Sequence, residues 1–254
     1  MLTSPPTRRL CVLVDAGRTP CALDALCVRG VAQPEADAAL KDLTQLLGGG
    51  QEAAPGLAVA LEVPAGLGLR VRAVHGVVDV SSARTLALPG GVSPRLARVV
   101  RGALELEGRL FLDVDLLALE GELPAADGPA PAPSRAALET ARTLVFRAGT
   151  DLWAVPLAVV TQVVPAAGMC PTPGRSAALL QHGGALWPVY ALGREAADAG
   201  MVVLVEEGGR PLGLLADEVV GIFDQMVPAG QPGTWSVPGA EWAATGLELA
   251  LLFA

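Results

Sequence analysis

The 254-residue chain is 52% hydrophobic and 17% charged, a balance that supplies a folded core and excludes disorder as the dominant state. Its formal charge of −8, from 18 basic and 26 acidic residues, argues against a nucleic-acid face, which needs a basic patch. At ~150 residues per domain the length allows one large or two small domains, and 30 Gly and 21 Pro scattered as punctuation suit many short strands joined by tight turns.

From the N-terminus, Arg8 and Arg9 precede an apolar run of only residues 10–14, too short for a signal-peptide core. Residues 12–31 read as strand, turn at Ala16-Gly17, and strand. Over residues 35–47, Leu40, Leu43, Leu46 and Leu47 fall at helical spacing, with acids in the first turn and Gly48 as a stop, which predicts a helix. Strands follow over residues 56–79, and Ser93-Pro94 opens a second predicted helix reaching Arg101. Residues 120–135 read EGELPAADGPAPAPSR; Pro124, Pro129, Pro131 and Pro133 break regular structure and favour an extended linker. Ser134 starts a third short predicted helix through Ala141. The most apolar stretch, residues 144–164, is interrupted by Arg147, Asp151 and Gln162, and no segment reaches the ~18 apolar residues of a membrane helix. The expected location is therefore cytoplasmic, without membrane insertion. Val202 to Val205, the turn around Gly208-Gly209, and Leu212 to Ala216 form a hairpin pattern.

The two halves repeat. Residues 12–31 (VLVDAGRTPCALDALCVRGV) align without gaps to residues 144–163 (LVFRAGTDLWAVPLAVVTQV) at an offset of 132. Residues 56–79 align to residues 201–224 at an offset of 145, matching Leu67-Gly68-Leu69 to Leu212-Gly213-Leu214, and Val74, Gly76 and Asp79 to Val219, Gly221 and Asp224. A third echo pairs Leu104-Glu105-Leu106 with Leu247-Glu248-Leu249. Two tandem domains are expected, residues 8–119 and 142–254, joined by a linker over 120–141. A ~15-residue flexible linker spans only ~20 Å, so each domain would raise the effective concentration of the other's ligand.

The second copy resembles the CheW-like domain, the adaptor module of bacterial chemosensory systems. The opening strand Leu144-Val145-Phe146 and the turn at Gly149 lead to Trp153-Ala154-Val155-Pro156-Leu157. Val160-Thr161-Gln162-Val163 matches part of the family's V-x-E-[VI]. Gln181-His182-Gly183-Gly184 with Pro188-Val189-Tyr190-Ala191-Leu192 echoes N-L-R-G-x-x-x-P-V-x-D-L, and residues 213–219 echo G-L-x-V-D-x-V. The first copy resembles the same family in degraded form. It lacks the N-L-R-G stretch, keeps Leu40-Lys41-Asp42-Leu43 as a remnant of V-x-D-L, and retains a closing strand pair around residues 104–113 that the second copy truncates.

The resemblance implies a mainly β chain, each domain built of two small five-stranded barrels with a groove between them, plus a few short helices. It implies a non-catalytic adaptor or scaffold in a chemosensory or motility-control complex. The partners would be proteins: a CheA-like histidine kinase, a chemoreceptor or a motility regulator. The alternative is a structural subunit of a larger assembly that has lost those contacts, because the family's Arg is Gly183, its Asn is Gln181 and its Glu is Gln162. Removing charge changes which partner is electrostatically matched. The candidate protein-binding residues are Val160, Gln162, Gln181, His182, Gly183, Gly184 and Trp235.

Other features suggest no chemistry. Cys11, Cys21, Cys27 and Cys170 have no C-x-x-C spacing and read as buried free thiols. His75 reads as a partly buried strand residue and His182 as a loop residue, neither at ligand spacing to Cys, Asp or Glu. Asp217 and Glu218 are neighbours on a strand and cannot converge; with Asp224 they read as strand-end and turn residues. Gly66-Leu67-Gly68 lacks the third glycine and helix of a dinucleotide fingerprint. Of the four tryptophans, Trp153 and Trp187 read as core, while Trp235 and Trp242 fall in Gly/Pro-rich text where core packing and an exposed interface anchor are both open. No enzyme activity, cofactor or metal is expected.

Overall fold

The structure, a computed structural model, describes residues 9–34, 40–50, 56–120, 142–173, 177–192, 200–249 and 252. The predicted linker and the helix over 134–141 lie outside these residues, apart from Glu120 at the linker's start. The chain divides into two compact units: residues 1–128 with 168–174 and 181–186, and residues 129–167 with 175–180 and 187–254.

The chain is mainly β. In the first unit the strands are β1 (Leu10–Ala16), β2 (Thr19–Asp24), β3 (Val28–Ala32), β4 (Leu40–Asp42), β5 (Leu57–Leu61), β6 (Gly68–Val71), β7 (Ala73–Asp79), β8 (Arg84–Leu86), β9 (Val100–Leu106) and β10 (Arg109–Val114). They form sheets of order β7-β1-β2-β10-β9-β8 and β3-β5-β6-β4. Two short helices accompany them, α1 (Leu43–Leu46) and α2 (Pro94–Val99). Asp42 Oδ1 accepts from Thr44 N at 2.8 Å to cap α1, and Ser93 Oγ accepts from Leu96 N at 3.1 Å to cap α2.

The later strands are β11 (Thr143–Ala148), β12 (Asp151–Pro156), β13 (Val160–Pro165), β14 (Cys170–Pro171), β15 (Ala178–His182), β16 (Ala185–Tyr190), β17 (Met201–Glu207), β18 (Arg210–Ala216), β19 (Glu218–Phe223), β20 (Val227–Pro228), β21 (Thr234–Ser236) and β22 (Ala244–Gly246). Their sheets run β19-β11-β12-β22-β21-β20 and β13-β17-β18-β16-β15-β14. Strand β14 and the tip of the β15–β16 hairpin are counted with the first unit.

Central strands carry a continuous apolar run in their middle, where both faces are covered. On β11, Leu144, Phe146 and Ala148 enter one cluster with Trp153, Val155, Val203, Val205 and Leu214, while Val145 enters another with Ala154, Met226, Trp235 and Ala244. Successive side chains leave a strand on opposite faces, so a two-sided core demands a continuous apolar run. Edge strands differ: β3, β7, β13 and β19 expose most of their residues or alternate.

The strand order of one six-stranded sheet maps onto the other, and so does the pairing. Strand β10 runs parallel to β2 through Leu112↔Cys21, as β22 does to β12 through Thr245↔Trp153. The β1–β7 ladder shifts between Leu13 and Val14, where Leu13 faces Gly76; the β11–β19 ladder shifts between Val145 and Phe146, where Val145 faces Gly221. A second shift recurs between Val28 and Gly30 on β3 and between Val160 and Gln162 on β13. Strand β4 pairs in parallel with β6 through Leu40↔Gly68, as β16 does with β18 through Val189↔Gly213. That is the equivalence expected between Leu40-Lys41-Asp42-Leu43 and Val189-Tyr190-Ala191-Leu192.

Several expectations are corrected. The sheets are open and of six, six, six and four strands, not closed five-stranded barrels. Of the helix expected over 35–47, residues 40–42 are strand β4 and only Leu43–Leu46 is helical; parallel pairing with β6 overrides the leucine spacing, and residues 35–39 lie outside the described ones. The offset of 145 holds for β6 and β7 but is 144 for β5, since Ala60 faces Gly68 as Leu204 faces Gly213. The third echo fails, because Leu104 lies on β9 whereas Leu247 follows β22, the counterpart of β10. The residues matching Leu247, Leu249 and Leu252 are Val114, Leu116 and Leu119, all six buried.

Candidate protein-binding surface

Strand β13 supplies one part of the candidate surface. It pairs with β17 on one side only, and the ladder shift leaves Thr161 as the extra residue between Val160↔Val205 and Gln162↔Leu204. A bulge at a sheet edge re-aims side chains and discourages strand addition. Val160 is half-buried, while Thr161, Gln162 and Val163 are exposed. Strand β19, the edge of the neighbouring sheet, exposes Ile222, which is 49% accessible. In the first unit the corresponding edges, β3 and β7, border an open groove lined by Val28, Gly30, Val31, Val74 and Val77.

The remaining candidates lie elsewhere. Gln181 and His182 end β15, and Gly183-Gly184 form the two-residue turn into β16. Both glycines have positive φ, 59° and 83°, the requirement of a type I′ hairpin. Gln181 Nε2 donates to Glu105 Oε2 at 2.7 Å, and Arg84 Nη2 donates to the Gly184 carbonyl at 3.3 Å. Gly183 is exposed at the tip and His182 is half-buried. The turn therefore has its neighbours inside the first unit. Arg84 and Glu105, missed in the sequence, carried no signal beyond opposite charges in strand-like text.

Trp235 is not an exposed anchor. It is 5% accessible and packs with Val145, Ala154, Met226 and Ala244. Trp242 is half-buried, with its ring 5.5 Å from that of Phe223. Trp153 and Trp187 are buried on β12 and β16.

The polar residues weighed for chemistry are accounted for locally. Asp217 Oδ2 accepts from Gly149 N at 2.7 Å, bracing the β11–β12 turn. Glu218 pairs with Arg147 at 3.0 Å and Asp224 with Arg142 at 2.8 Å. His75 is exposed, contrary to expectation, because β7 is an edge; its Nε2 lies 2.9 Å from Asp15 Oδ2. Burial pushes the Cys11 thiol up to about 11 and the Cys170 thiol up to about 12, and raises Cys21 well above its ordinary value. Such thiols are poor nucleophiles. Among the described residues no three His, Cys, Asp or Glu side chains group as metal ligands, and no helix is long and apolar enough to cross a membrane.

Residues 142–248 match the family model described as the CheW-like domain. The chain is also similar to the crystal structure of the scaffolding protein TtCheW from Thermoanaerobacter tengcongensis. That likeness has 17% identity and a TM-score of 0.39, and it covers 45% of this chain and 88% of the other. No curated protein matches the chain.

Proposed function

We propose that the protein is a non-catalytic adaptor of a bacterial chemosensory or motility-control complex, acting in the cytoplasm through protein contacts alone. The observation that carries this is the match of residues 142–248 to the CheW-like domain. Beside it, the carboxylates weighed for chemistry, Asp217, Glu218 and Asp224, are each taken up by a neighbouring turn or arginine. The partners that fit are a CheA-like kinase regulatory domain, a chemoreceptor tip or a motility regulator. Their contact surface is the exposed edge strand β13 around Val160 and Gln162, with Val163 adding an apolar group.

Residues 8–119 are a second, degenerate copy, separated by a linker over 120–141 from the copy at 142–254. Three recurrences support this reading: the strand order, the parallel closing strand and two ladder shifts at equivalent positions. Bulges are retained as designed features of a fold, so two at matching places argue for one ancestor.

The test is titration calorimetry of the full chain with the purified regulatory domain of a CheA-like kinase from the same genome. Saturable binding, weakened by Val163→Glu with the unfolding midpoint unchanged, supports the adaptor. The second reading, a structural subunit, is favoured by one observation: Gln181, at the family's Asn position, has its amide committed to Glu105. No binding to kinase or receptor, together with a single partner retained through 1 M salt, would establish that reading instead, since screening weakens charge-steered contacts most.

A further inference from the structure

Arg84 and Glu105 stand directly opposite each other on β8 and β9. Opposite charges in that position stabilise a strand pair by interacting across it. Here they also meet one incoming hairpin. Glu105 accepts from the Gln181 side-chain amide at 2.7 Å, and Arg84 donates to the Gly184 carbonyl at 3.3 Å. The anion takes the hairpin's donor and the cation takes its acceptor. Hydrogen bonds to ionised groups are the stronger class.

The hairpin sequence is fitted to this approach. A Cβ at residue 184 would lie 2.9 Å from Arg84 Nη2, and the residue has φ of +83°. Glycine is thus required for backbone conformation, and any side chain here would push the Arg84 guanidinium off the carbonyl it holds. A neighbouring stretch behaves the same way. Cys170 on β14 is 1% accessible, its field adds to the raised pKa of Cys21 on β2, and a Cβ at Gly49 would meet Pro173 at 3.0 Å. Residues 168–174 and 181–186 are both built into the first unit.

We propose that the 181–184 hairpin is an internal clasp, closed by Glu105 and Arg84, so that an outside protein reaches Gln181 only after those two side chains let go. The family's most specific stretch has been turned inward in this chain, and its charged Arg has become a glycine that the turn requires. This inference stands apart from the adaptor reading, because it concerns how the chain holds its own segment.

The experiment is amide hydrogen exchange on the full chain, read by mass spectrometry, with no partner present. Wild type is compared with the double variant Arg84→Ala/Glu105→Ala and with Gln181→Ala. The reference is the exposed turn at Gly208-Gly209, also a two-glycine hairpin with positive φ at both positions. Expected is slower exchange over 181–186 than over the reference turn. Exchange should rise about tenfold in each variant, with β1 and β2 unchanged. Gln181→Ala leaves β8 and β9 intact, so it decides the matter if the double variant disturbs the sheet. Wild-type exchange over 181–186 as fast as at the reference turn overturns the clasp. So does protection that neither variant reduces.

Discussion

Arg9 grips Asp113 across 104 positions with a single nitrogen: Nη2 lies 2.7 Å from Oδ1 and 2.9 Å from Oδ2. Arg9 immediately precedes β1, and Asp113 is a buried residue of β10, its side chain 4% accessible. The hydrogen bond to Asp113 is the main cause raising the guanidinium pKa. Removing the cation strands a buried carboxylate, so Arg9→Met should cost about 2–3 kcal/mol, reduced from a fully buried pair because Arg9 is partly solvated. Urea unfolding measures this, and Arg9→Lys should recover part of the loss. A cost under about 0.5 kcal/mol, within the range of ordinary surface substitutions, would show the pair to be idle.

Asp115 makes stability depend on pH. Arg101 donates to Asp115 Oδ1 at 3.0 Å and, as the largest cause, holds the carboxyl below its ordinary value. The folded chain then binds fewer protons here than the unfolded chain. The stabilisation is complete above the ordinary carboxylate pKa of about 4 and is lost as pH falls through the lowered folded value. Asp115→Asn should therefore destabilise by a few tenths to about 1 kcal/mol at pH 7, both groups being partly exposed, and by progressively less as pH falls through the lowered folded value. A loss that does not change with pH would assign the effect to packing.

Thiol labelling separates the cysteines. Burial raises all four pKa values, but Cys27 is only partly buried whereas Cys11, Cys21 and Cys170 are buried. Thiolate is the reactive form, so at pH 8 only Cys27 should label on the minute scale, and all four should label in denaturant. Rapid native labelling of Cys170 would contradict its burial.

Gly149 opens the β11–β12 turn at φ of 63°, with open space where a Cβ would go. Gly149→Ala should cost about 1–2 kcal/mol from backbone strain alone, and Gly149→Asn less. Equal effects of the two in thermal unfolding would argue for a lost contact instead.

What could be read in the residues was local. Strands flanking Gly17, Gly149 and Gly208-Gly209 announce themselves because glycine at positive φ and apolar flanks lie within a few positions. The remnant at Leu40 was legible as a motif but not as a strand, because its partner Gly68 lies 28 positions on and leucine spacing suits a helix equally well. The one-residue difference between β5 and β17 was hidden by an alignment in which both registers place aliphatic on aliphatic. For Trp235 core packing and an exposed anchor stayed open in the sequence, since the cluster that buries it is gathered from β11, β12 and β22. Gln181 stood out as a departure from the family's Asn, but its hydrogen-bond acceptor is 76 positions away on β9.

The membership of residues 168–174 and 181–186 in the first unit sets a timetable for synthesis. Strand β10, which closes the β1–β2 sheet, ends at Val114, yet the last segment the unit incorporates arrives about 70 residues later. At ~5–20 residues per second, the ribosome takes several seconds over that interval. The nascent first unit spends that time with β2 and the β8–β9 pair still waiting for the segments that complete them. During synthesis, the N-terminal unit of such a chain should complete its packing only after residue 186 has emerged.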